Sequence, residues 1–135
     1  MRAAGSTVLL AAVLVVGGCA ATDDPPTALV QLRDGGSQVG THDQGSFEPA
    51  VLVVAPGTEV RWRNDGSSVH TVTTADVDVA GKPALPEGAQ PWGSGPLWPG
   101  DTFAHRFEVP GTYVYWCTEH REEQMVGIVR VEESR

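Results

Sequence analysis

The sequence predicts an all-β sandwich in a single domain, on three observations. A chain of 135 residues with 41% hydrophobic and 19% charged residues has a globular composition and the length of one domain. Sixteen Gly and ten Pro argue against long helices. Short runs rich in β-branched and aromatic residues alternate with turn signals, and no helical period survives beyond a turn. Nine basic against seventeen acidic residues give a formal charge of −8, which disfavours a nucleic-acid binder.

The N-terminus reads as an export signal. Arg2 supplies one positive charge, and the apolar core over residues 8–16 is too short to span a bilayer as a mature helix. Val16-Gly17-Gly18-Cys19 resembles a bacterial lipobox, in which the cysteine becomes the first mature residue and carries lipid. The expected division is a signal peptide over 1–18, lipidation at Cys19, a flexible tether over 19–27 and the globular domain over 28–135. A soluble secreted form is the alternative. Two acyl chains anchor stably where one binds only marginally. Cleavage before Cys19 removes Arg2 and no acid, so the mature charge becomes −9. Cys19 and Cys117 suggest one disulfide in a small exported protein, but lipidation of Cys19 leaves Cys117 as the single thiol. A lone thiol outside the cytoplasm is open to oxidation unless something occupies it.

The strands follow in order. Residues 28–33 form a first strand, closed by Asp34-Gly35-Gly36, and residues 47–54 a second apolar run, ended by Pro56-Gly57. Residues 58–64 alternate, with Val60 and Trp62 on one face and Glu59, Arg61 and Arg63 on the other. Asn64-Asp65-Gly66 makes a turn. Residues 70–74, 112–116 and 126–131 are rich in β-formers, and residues 102–109 put Phe103, His105, Phe107 and Val109 on one face. Residues 76–99 hold five Pro and four Gly and can be neither strand nor helix. Loops this long are usually functional or locally packed, and Trp92, Leu97 and Trp98 predict that this one folds down onto the end of the sandwich.

The last third carries the chemistry. Cys117, His120 and Met125 stand in a Cys-x2-His-x4-Met spacing, with the cysteine ending one strand and the methionine opening the next. Their ligand atoms can therefore converge from one connecting loop. His70, which opens a strand after the turn, supplies a second imidazole. Two imidazoles, a thiolate and a weak axial thioether match copper. Zinc prefers more cysteines or a fourth strong ligand, and calcium or magnesium wants oxygen. Taken singly, His70 reads as a loop histidine, Cys117 as a small buried hydrophobe and Met125 as core filler; the spacing is what joins them. His105, among Phe103 and Phe107, reads as a core histidine, and His42, beside Asp43, as a solvated loop residue. The four tryptophans read as packing residues.

On these residues the domain resembles the small blue copper proteins of the plastocyanin and halocyanin type, which have the cupredoxin fold. Phe47-x-Pro49 with Val51-Leu52-Val53-Val54, Gly57 through Asn64, and His70-Thr71-Val72-Thr73 are similar to its second and third strands and first-ligand segment. Trp92-Gly93-Ser94-Gly95, Pro99-Gly100, Pro110 through Cys117, and Met125-Val126-Gly127-Ile128-Val129 are similar to its later loops and final strand pair. The resemblance covers about residues 47–131. It implies a Greek-key β-sandwich of about seven to eight strands with a long Pro/Gly/Trp loop, one type 1 copper, and the ligands His70, Cys117, His120 and Met125. It further implies that the Thr71 N–H donates to the Cys117 sulfur, that Thr118 ties the ligand loops together, and that His120 is the edge through which electrons pass. Glu119 stands where the family often has Pro, Gln124 where it often has Gly, and Arg121-Glu122-Glu123 is more charged than the usual ligand loop.

The expected function is electron transfer by a lipid-anchored carrier on the outer face of the cytoplasmic membrane, without substrate turnover. Its partners would be redox proteins such as a cytochrome or a membrane electron-transport complex, met as a monomer. The acidic balance steers basic partners, and it equally serves solubility. The alternative is a copper-binding or copper-delivery lipoprotein of the same fold. Catalytic multicopper proteins need further His pairs, and four histidines in one domain do not supply a trinuclear cluster.

Overall fold

The computed structural model describes residues 25–34, 45–78, 80–119 and 125–133, so the export segment, Cys19, His42 and His120 lie outside the described residues. Seven strands occur among the described residues: β1 (Thr27–Arg33), β2 (Ser46–Glu48), β3 (Val51–Val54), β4 (Thr58–Asn64), β5 (Thr102–Phe107), β6 (Gly111–Trp116) and β7 (Val126–Val131). One sheet has the order β2-β1-β4-β5 and the other β3-β7-β6. The β1/β4 and β3/β7 pairs are parallel and the rest antiparallel. The all-β sandwich is the fold expected from the sequence.

Alternation positions the core. On β4, Thr58, Val60, Trp62 and Asn64 turn inward while Arg61 faces solvent. Trp62 has no exposed surface, and its ring lies 5.3 Å from Trp92, 5.4 Å from Tyr115, 5.7 Å from Phe103 and 6.2 Å from Phe107. Such offset aromatic pairs add to the area they bury. The Tyr113 hydroxyl donates to the Val109 carbonyl at 2.6 Å, pinning the corner that enters β6.

Three expectations are corrected. The apolar run over residues 47–54 is two strands, because the chain changes sheets at Pro49 and Ala50: β2 pairs with β1, and β3 with β7. Proline has no N–H for a ladder, so a central strand cannot run through it. Residues 70–74 are not a continuous strand. They pair one residue at a time, His70 with Leu97 and Thr73 with both Gly93 and Trp116. The 76–99 loop does fold down, with Thr74 N–H bonded to Trp92 O at 2.9 Å and Ser94 N–H to Val72 O at 2.9 Å, but Trp98 does not join it. Leu97 is turned inward by its pairing with His70, and Trp98, next in the chain, is left 63% exposed.

His105 is half-buried as a core histidine, stacked on Trp92 at 4.6 Å and edge-on to Phe107 at 4.9 Å. Burial holds its pKa below the ordinary value. A depressed histidine gives its full stability above the unfolded value and loses it as pH falls through the folded one. The His105 contribution to metal-free stability should therefore shrink as pH drops below about 6.5. His105→Phe is expected to remove that loss, so its urea midpoint at about pH 5.5 relative to that at about pH 7.5 should be higher than the wild type's.

Candidate metal centre

The centre forms at the connected end of the β6–β7 hairpin. Trp116 pairs with Val126, so Cys117, just past β6, faces Met125, just before β7. The Cys117 N–H donates to the Met125 carbonyl at 3.1 Å, one step beyond the regular strands. Both side chains are buried, as is His70.

His70 arrives from the other sheet. Its backbone is clamped to Leu97 on both sides, N–H to carbonyl at 3.1 Å and carbonyl from N–H at 2.7 Å. Its ring stands with Nδ1 3.9 Å from Cys117 Sγ. Two donors sharing one ion at about 2.0 and 2.3 Å can stand no more than about 4.3 Å apart, so this spacing admits a bridging metal. The third donor is fixed by Gly45. A Cβ there would lie 2.6 Å from Met125 Sδ and 2.9 Å from His70 Cε1, so thioether and imidazole both press on a bare α-carbon. A soft thiol, an imidazole nitrogen and a thioether converging in a buried site fit copper.

Hydrogen bonds from Thr71 and Thr118 surround these donors. The Thr71 N–H donates to Cys117 Sγ at 3.3 Å. Thr71 Oγ1 accepts the Thr118 N–H at 2.8 Å and lies 2.9 Å from the Thr118 hydroxyl, tying the His70 segment to the Cys117 loop. The described residues thus bring together His70, Cys117 and Met125 with Thr71 and Thr118, while His120, the fourth expected ligand, lies outside them. Thr71→Val should leave the Thr118 N–H without its acceptor and cost about 1–2 kcal/mol of metal-free stability, measured by urea unfolding.

Sequence reasoning missed Asp34, read there only as the end of a strand. Its carboxylate lies 3.0 Å from His70 Nε2 and accepts from the Ser67 hydroxyl at 2.6 Å, the Ser67 N–H and the Ser68 N–H at 3.2 Å. Burial raises its pKa, but the bonds from Ser67, His70 and Ser68 outweigh that and hold the carboxyl well below the usual range. Burial opposes charge on His70 too, yet hydrogen bonding to Cys117 and Asp34 keeps its pKa above the ordinary value in the metal-free chain. The usable signal was weak: an Asp closing one strand and a Gly-Ser-Ser turn leading to His70 meet only if those strands are parallel neighbours.

Comparison with known proteins agrees with the geometry. Residues 37–132 match a family model described as copper binding proteins, plastocyanin/azurin family. A putative pseudoazurin of Rhizobium leguminosarum bv. viciae is 33% identical over 92 residues, covering 68% of this chain and 54% of that protein. A chloroplastic plastocyanin of Tetradesmus obliquus is 30% identical over 87 residues, covering 64% of this chain and 58% of that one. The chain thus spans little more than half the length of these relatives. Among solved structures, a purple cupredoxin from Nitrosopumilus maritimus superposes with a TM-score of 0.59 at 35% identity, over 78% of this chain and 99% of that one.

Proposed function

The chain belongs to the plastocyanin/azurin family of copper-binding proteins, with one type 1 copper as its cofactor, and from that premise we propose that it is a one-electron carrier working outside the cytoplasm. The observation that carries this reading is the approach of His70 Nδ1 to Cys117 Sγ at 3.9 Å inside a buried, hydrogen-bonded frame. His70, Cys117 and His120 would be the strong ligands in the proposal, and Met125 would add a weak thioether donor. Copper bound there supplies the redox couple, passing between Cu(II) and Cu(I).

The protein's part is to hold its donors still. Cys117 is fixed by its own N–H on Met125 and by the Thr71 N–H on its sulfur. His70 is fixed at its backbone by Leu97 and at its ring by Asp34. Donors held from several sides rearrange little between oxidation states, which speeds electron transfer. The same burial argues against a labile site that hands copper to an acceptor. His120 would be the edge through which electrons pass, by resemblance alone.

The proposed setting is a lipoprotein: a signal over 1–18, a lipidated Cys19, a tether over 19–27 and the copper domain over 28–135. No helix of the described residues is long and apolar enough to cross a membrane. A mature charge of −9 would steer a basic redox partner such as a cytochrome.

Loading the chain with Cu(II) should produce an intense visible thiolate-to-copper band and a narrow-hyperfine paramagnetic resonance spectrum. Cys117→Ser should abolish the band; a colourless wild type, or a coloured Cys117→Ser, overturns the assignment. Cys19→Ala should move the exported protein from the membrane fraction to the soluble one, as read by fractionation.

A further inference from the structure

The contact between Asp34 and His70 is built from both strands of a parallel pair. In the β1/β4 register Leu32 lies opposite Asn64, so the two chains leave the sheet side by side. Asn64 is buried and organises the turn that follows it. Its Oδ1 accepts the Gly66 N–H at 3.0 Å, and its Nδ2 donates to the carbonyls of Ser68 at 2.8 Å and Leu97 at 2.9 Å. The turn so held aims the Ser67 N–H, the Ser67 hydroxyl and the Ser68 N–H at the Asp34 carboxylate. Gly66 lies so close that a Cβ there would collide with that carboxylate.

The fourth group on the carboxylate is His70 Nε2 at 3.0 Å. An ionised carboxylate only accepts, so the ring nitrogen beside it must carry the proton. A neutral imidazole has one N–H, and Nδ1 is then left with its lone pair on the side that faces Cys117 Sγ. Two exposed loop ends could be stapled by any ion pair. Here the carboxylate is instead gripped by three donors of one turn and turned onto a buried ring.

We propose that Asp34 is a positioning residue for the copper: it holds His70 as the Nε2–H tautomer, presents Nδ1 as the donor, and lowers the reduction potential by favouring Cu(II). The inference rests on the copper reading above. An anionic acceptor on a ligand histidine orients the ring and strengthens its nitrogen as a donor, and the more positive oxidation state gains most from both.

The test compares wild type with Asp34→Asn and Ser67→Ala in the full chain. Asp34→Asn should keep the blue band but lower the Cu(II) over Cu(I) affinity ratio by about tenfold, a rise in potential of about 59 mV for a one-electron couple. Ser67→Ala leaves the carboxylate with one donor fewer and a stronger pull on His70, so its potential should fall by a smaller amount. A mere loop staple would loosen in both variants and shift them the same way. An Asp34→Asn ratio within twofold of wild type, or shifts of equal sign, overturns the proposal; if Asp34→Asn does not fold, a raised or unchanged potential in Ser67→Ala overturns it. Nitrogen-15 spectra of the metal-free wild type, taken at alkaline pH where the His70 ring is neutral, decide the tautomer without copper. A His70 proton on Nε2 supports the inference, and one on Nδ1 overturns it. A wild type that takes up Cu(II) without colour sinks the copper reading, and the Nε2 proton then still judges the tautomer.

Discussion

The hydrogen bond from the Cys117 N–H to the Met125 carbonyl is the constraint on which the centre depends. It extends the β6–β7 ladder one step past its last regular pair and sets a thiol and a thioether across from each other. Cys117 lies just past β6 and Met125 just before β7, so the register of the hairpin decides how far apart the sulfurs lie. A slip of one residue would turn both side chains to the opposite face of the sheet. The aromatic packing beneath resists that slip, because Tyr113 and Tyr115 on β6 are committed to the core around Trp62.

A second theme is that Asn64, His70 and Thr71, beside the centre, are paired, and their pairings link the two sheets. Asn64, His70 and Thr71 are all buried, and each would cost free energy without a partner. Asn64 bonds the turn before His70 and the Leu97 loop; His70 bonds Leu97 and Asp34; Thr71 bonds Cys117 and Thr118. A network of this kind is rigid because no member can move without unpairing another. Rigidity of the donors is what a one-electron carrier needs, since any rearrangement between oxidation states slows the transfer. Packing and the proposed electron transfer therefore make the same demand on these residues.

Much of the fold was legible where a signal is local. The alternation of Val60 and Trp62 against Arg61, and of Phe103, His105 and Phe107 on β5, follows from the period of a strand and from nothing distant. The run over residues 47–54 was less legible, because apolar residues look alike in either sheet and only pairing tells β2 from β3. Trp98 was misjudged for a related reason. Its composition favours burial, but the inward turn of Leu97 sends it out.

The sequence by itself determined the chemistry of the candidate donors. Thiol, thioether and imidazole are properties of single residues, and Cys-x2-His-x4-Met needs only a hairpin to gather them. It likewise determined the sandwich, because period-two patterning and turn residues act over a few positions. Tertiary structure alone decided that β1 and β4 are parallel neighbours, that Asp34 therefore meets the Gly66-Ser67-Ser68 turn, and that a carboxylate stands behind His70. Thirty-six residues separate that pair along the chain, and no local propensity spans such a distance.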